Sequence, residues 1–130
     1  MNLEKKRFFS QADNLLTETK EHKGTSINTS GEKPVDGYMV AIDTTYCISA
    51  AELSVKALKK FIAKRKRYIK SDDDYFGTWA DDRTGDIHLN VSHRFPNKDE
   101  ALSFASGKNS LAIYDIKNRE SIYIDYDNNK

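Results

Sequence analysis

The sequence predicts an α+β fold: a small antiparallel sheet of about five strands in two hairpins, one long and one short helix on one face, and an N-terminal amphipathic helix on a linker. Three observations carry this reading. Apolar residues recur at helical spacing in the first and middle parts of the chain. They alternate with polar residues around Ile87, Leu89 and Val91, the period of a half-buried strand. Between such runs stand turn sequences too short for anything but antiparallel neighbours. The expected organisation is a helix over 1–23, a flexible linker over 24–37, an α+β domain over 38–126 and a polar tail over 127–130.

In the first segment Phe8, Ala12, Leu15, Leu16 and Thr19 share one helical face, and Gly24 follows where a left-handed cap belongs. Residues 24–37 turn to Gly, Ser, Thr, Asn and Pro34 without periodicity, so they read as a linker with too little apolar surface to offset its ordering entropy. The domain is accordingly expected to fold without residues 1–36. Gly37 to Asp43 is a short apolar run of strand length. Ser49 with Glu52 reads as a capping box, flanked by Ile48 and Leu53 as the staple, for a helix ending near Lys70. Its buried stripe is Ala51, Val55, Leu58, Ile62 and Ile69, with Phe61 alongside.

Tyr75 to Asp81 and Ile87 to Phe95 form a hairpin through Asp82-Arg83-Thr84-Gly85, with Gly85 at the left-handed position. Trp79 is expected to anchor this sheet. Asn97 caps a short helix whose Ala101, Leu102, Phe104 and Ala105 face inward before Gly107 closes it. Ser110 to Ile116 and Ser121 to Tyr126 make the second hairpin through a turn at Asn118.

Charge is distributed unevenly along the chain. Residues 49–70 hold eight of the 21 Lys and Arg and one carboxylate, Glu52, in a chain whose formal net charge is +1. Lys56, Lys60, Lys64 and Arg67 run opposite the buried stripe; with Lys59, Tyr68 and Lys70 they form the candidate binding set. Lysines would neutralise phosphates, and Tyr68 or Tyr75 would stack on an exposed base. The competing reading is a solvated face neutralised by Asp72, Asp73 and Asp74.

Other chemistry is weakly signalled. His88 and His93 fall on opposite faces of their strand if the alternation holds, poor geometry for a shared metal, though either beside an Asp could act as a general base. Cys47 is alone and reads as a small buried hydrophobe. The acidic clusters lack the spacing of a cation loop, and the phosphate-loop, dinucleotide and zinc-protease signatures are missing. No catalytic residue, metal or cofactor is assigned. With no run of about 18 apolar residues and no signal-peptide core, a cytoplasmic protein that does not enter membranes is expected.

Gly77-Thr-Trp79, Asp82-Arg-Thr-Gly85, Leu89-Asn-Val-Ser92, Glu100-Ala101 and Leu111-Ala-Ile-Tyr-Asp115 together resemble a module of small phage and mobile-element proteins without an assigned activity. The resemblance spans Tyr38 to Ile124 and implies an accessory protein. In that setting the expected function is stoichiometric and non-enzymatic: binding a host protein or ribonucleoprotein, as anti-CRISPR inhibitors of nucleic-acid-handling complexes do. A nucleic-acid-binding module on helix 56–70 is the alternative, then a small enzyme using His88 or His93 with a nearby Asp. The N-terminal helix is the candidate element for homodimerisation.

Overall fold

The computed structural model describes residues 3–125 and, within them, the side chains of residues 10–42 and 46–125. Three α-helices, α1 (Leu3–His22), α2 (Val55–Arg65) and α3 (Lys98–Gly107), accompany six strands: β1 (Gly24–Ile27), β2 (Tyr38–Ser49), β3 (Asp74–Asp81), β4 (Asp86–Phe95), β5 (Ala112–Asp115) and β6 (Glu120–Tyr123). All strands join one sheet in the order β1-β3-β4-β2-β5-β6, every pair antiparallel. The α+β class and both hairpins, β3–β4 and β5–β6, match the sequence expectation.

Strand alternation decides which face the helices cover. Phe76 lies opposite Val91, and Ile87, Leu89 and Val91 point the same way. Onto that face pack Ala12 and Leu15 of α1 and Leu58, Phe61 and Ile62 of α2, all fully or almost fully buried. A second cluster joins Ala101 and Ala105 of α3 to Val40 and Ile113. Phe8, assigned to the same stripe of α1, lies outside the described side chains.

Residues 24–37 depart furthest from expectation. Gly24–Ile27 is the sixth strand, paired with β3, and Ile27 is core. Gly24 is not the helix cap: Lys23 takes the left-handed conformation with φ 65°. Glycine is needed at 24 because a Cβ would come within 2.7 Å of the Thr78 carbonyl oxygen. Beyond β1, Asn28 Oδ1 accepts from the N–H groups of Ser30 and Glu32, Gln11 Nε2 donates to the Thr29 carbonyl, and Lys33 pairs with Glu18 at 2.6 Å. Arg94 then ties Asp36 to Asp73 across the strand end. Side-chain bonds to backbone supply the order that composition alone does not suggest.

The basic helix starts later and stops earlier than its sequence implies. Ser49 opens only a 3₁₀ turn, Ala50–Glu52, where its N–H and hydroxyl both donate to Glu52. These bonds hold the Glu52 carboxyl below its ordinary range. The α-helical cap is Ser54, whose Oγ accepts from the Ala57 N–H at 3.1 Å. Ala51 is therefore exposed rather than part of the stripe. After Arg65 the chain tightens into a 3₁₀ turn, Lys66–Tyr68, because Asp74 Oδ2 captures the N–H groups of Lys70 and Ser71. Ser54→Ala is expected to cost about 1 kcal/mol and Ser49→Ala distinctly less. Urea midpoints of the two variants check this; an equal loss would return the cap to Ser49.

Two smaller differences follow from burial and a third from the end of α3. Phe104 is 37% exposed and Trp79 50% exposed, so neither fills the core. Gly107 is the last helical residue of α3, and Asn109 takes the left-handed conformation with φ 57°. The polar tail 127–130 lies outside the described residues. Among the described residues no helix is long and apolar enough to cross a membrane.

Candidate functional site

Helical spacing sets Leu58, Phe61 and Ile62 of α2 into the core and so turns Lys56, Lys59, Lys60 and Lys64 outward. All four are exposed, and Arg67 and Lys70 extend the row past the helix end. Arg65, between them, instead leans over the Tyr46 ring at 5.5 Å. Arg67 lies over the Tyr68 ring at 5.0 Å and donates to its hydroxyl at 3.2 Å. Of the candidate binding residues, Lys56, Lys59, Lys60 and Lys64 lie on α2, and Arg67, Tyr68 and Lys70 follow in the 3₁₀ turn and just after it.

Two of the neighbouring acids, Asp73 and Asp74, have their carboxylates committed elsewhere. Asp73 binds Arg94 at 3.0 Å, and the Asp72 carbonyl accepts from Asn28. Asp74 is 3% exposed and uses both oxygens: Oδ2 on two backbone N–H groups, Oδ1 on His93 Nδ1 at 2.6 Å. Among the described residues, no carboxylate lies within ion-pair distance of Lys56, Lys59, Lys60 or Lys64. Among the described residues, then, Asp73 and Asp74 are turned to other groups and not to the four α2 lysines.

Where the strip ends, a groove of about 370 Å³ opens between the sheet and α3. Ile42, Tyr68, Phe95 and Phe104 make its apolar walls; His93, Lys70 and Ser71 bring polar groups to it. The His93 ring meets Phe95 edge-on at 4.8 Å, and Phe95 meets Phe104 at 5.2 Å. A carboxylate offers only acceptors, so the hydrogen between Asp74 and His93 sits on Nδ1, and Nε2 is the ring nitrogen left for another partner. Four segments remote in sequence build this groove. Only its Tyr68, Lys70 and His93 carried a local signal.

The remaining candidates stand apart. His88 is on the opposite face of β4, stacked on Trp79 at 5.1 Å and 3.8 Å from the nearly buried Asp81, so the two histidines cannot act together. Asp81 is held below the ordinary carboxylate range, chiefly by hydrogen bonds from the Arg83 side chain and N–H, and it anchors the hairpin turn. Cys47 is exposed, not buried. Its thiol is pushed up by partial desolvation and then by Asp86, Asp81 and Glu52, which disfavours the nucleophilic thiolate. Tyr75 is 5% exposed and cannot stack on a base. No group of three or more His, Cys, Asp or Glu among the described residues is placed to hold a metal. No family model matches the chain, and neither does any curated protein or solved structure.

Proposed function

We propose that this protein is a stoichiometric binding module that grips a polyanion, nucleic acid in the first place, through the strip Lys56, Lys59, Lys60, Lys64, Arg67 and Lys70. The observation that carries the reading is the absence of carboxylate partners for the four α2 lysines among the described residues, beside Asp73 and Asp74 already committed to other groups. Uncompensated cations in a row release counterions on meeting phosphates, and that gain is sequence-independent. The narrower proposal, drawn from the motif resemblance, is a counter-defence protein that occupies a host nucleic-acid-handling complex. Such a protein inhibits fully at a one-to-one ratio.

Replacing Lys56, Lys60, Lys64 and Arg67 together by Gln keeps helix propensity and removes four charges. At about 0.15 M salt the variant should bind a labelled single-stranded oligonucleotide roughly a hundredfold more weakly, and the slope of log K against log salt should flatten by about 3. Fluorescence anisotropy across a salt series measures both, with thermal melts to establish that the fold persists. Unchanged affinity and slope in a folded variant would leave the strip as solvated surface.

One observation favours a second reading. A histidine oriented by a buried carboxylate and opening on a groove is the arrangement of a general base, so His93 with Asp74 is the enzyme alternative. It requires turnover at protein concentrations far below the substrate, which a stoichiometric binder never shows.

A further inference from the structure

We infer that the groove beside the cationic strip takes one unpaired base of a single-stranded nucleic acid. This rests on the strip binding phosphates, and it adds which form of nucleic acid is recognised. The strip ends at Arg67, Tyr68 and Lys70, and Tyr68 and Lys70 also line the groove, so a backbone following the lysines arrives at its mouth. Inside are the surfaces a base needs. Phe95, Phe104 and Tyr68 offer ring faces and edges for stacking, and Ile42 closes the apolar wall.

The polar group in the groove is fixed in its role. Asp74 is locked by two backbone N–H groups and holds His93 Nδ1–H, which leaves Nε2 to hydrogen-bond the edge of a base. Phe104 is 37% exposed without a core role of its own, and Lys108 sits 5.4 Å from its ring centre, adding a cation on the far side. A paired base has its Watson–Crick edge occupied and its faces stacked, so a duplex can engage the strip but not the groove.

The test uses the full chain with an oligonucleotide carrying 2-aminopurine at one position, as single-stranded RNA, as single-stranded DNA, and as the duplex of each. Expected are a fluorescence change on binding of the single strands only and an affinity at least about tenfold above the duplex. Phe104→Ala, at an exposed position, should erase both differences while duplex binding stays as in wild type. His93→Ala, verified as folded by its melt, should weaken single-strand binding without changing the salt slope. A fluorescence change with RNA, DNA or both supports the groove, and their ratio identifies the sugar it accepts. Single strand and duplex bound alike, with Phe104→Ala indistinguishable from wild type, would overturn the inference while leaving the strip intact. No binding of any oligonucleotide would sink the nucleic-acid reading of the strip, and this inference with it.

Discussion

Deleting residues 1–36 is expected to abolish cooperative unfolding. The truncation removes Ala12, Leu15 and Ile27, each at most 2% exposed, from the cluster that contains Leu58, Phe61 and Phe76. It also strips β1 from β3 and leaves that strand as a new edge with unpaired N–H and C=O groups. Leu15 and Ile27, two large core side chains, together with Ala12 correspond to several kcal/mol of burial, comparable with the whole stability of a domain of this size. The truncated chain should melt without a sigmoidal transition and bind a hydrophobic dye. A sharp melt near the wild-type temperature would show that 38–126 is self-sufficient, as the linker-like composition of 24–37 suggests.

Leu58→Ala is expected to lower stability by about 2–5 kcal/mol, the range for a leucine truncated in a closed core. Leu58 is 0% exposed on the α2 face that meets α1 and the sheet, in one cluster with Leu15, Phe61 and Ile62. Surrounded by three elements, the site has little freedom to collapse into the void. The variant's melting temperature should fall by roughly 10 °C or more. Leu58→Met, which conserves volume, should lose less than about 1.5 kcal/mol. Equal melts for Leu58→Ala and wild type would place this residue at the surface.

Much of the fold is legible locally because its signals are local. The alternation at Ile87, Leu89 and Val91 and the left-handed Gly85, φ 76°, specify the β3–β4 hairpin. Asn97 caps α3 as its position implies, accepting from the Asp99 and Glu100 N–H groups. Ser49 misleads because Ser54, five residues on, offers the same chemistry and the chain uses it for the longer helix. β1 is hidden because a four-residue edge strand buries a single apolar side chain, Ile27, too little for any period to emerge.

The four α2 lysines of the strip are equally visible, since helical spacing alone turns them away from the core, whereas Arg67 and Lys70 lie past the helix end. The groove is not, because Ile42, Tyr68, His93 and Phe104 meet only through tertiary packing. One part of it is recoverable from sequence: a turn that sets Asp81 opposite Asp86 brings Asp74 opposite His93 by counting back along the hairpin.

The placement of β1 at the far edge of the sheet has a consequence for synthesis. Gly24 pairs with Trp79 and Ile27 with Phe76, about fifty residues further along the chain. At roughly 5–20 residues per second, the ribosome releases that partner strand several seconds after β1 itself. During that interval α1 carries Leu15 and Leu16 with no sheet to cover them. The sequence-distant contact makes docking of the N-terminus a late folding event, closed only after the β3–β4 hairpin has emerged. A nascent chain stalled before Asp74 should therefore expose a sticky amphipathic helix, and that is the stage at which a chaperone or a second nascent copy would capture it.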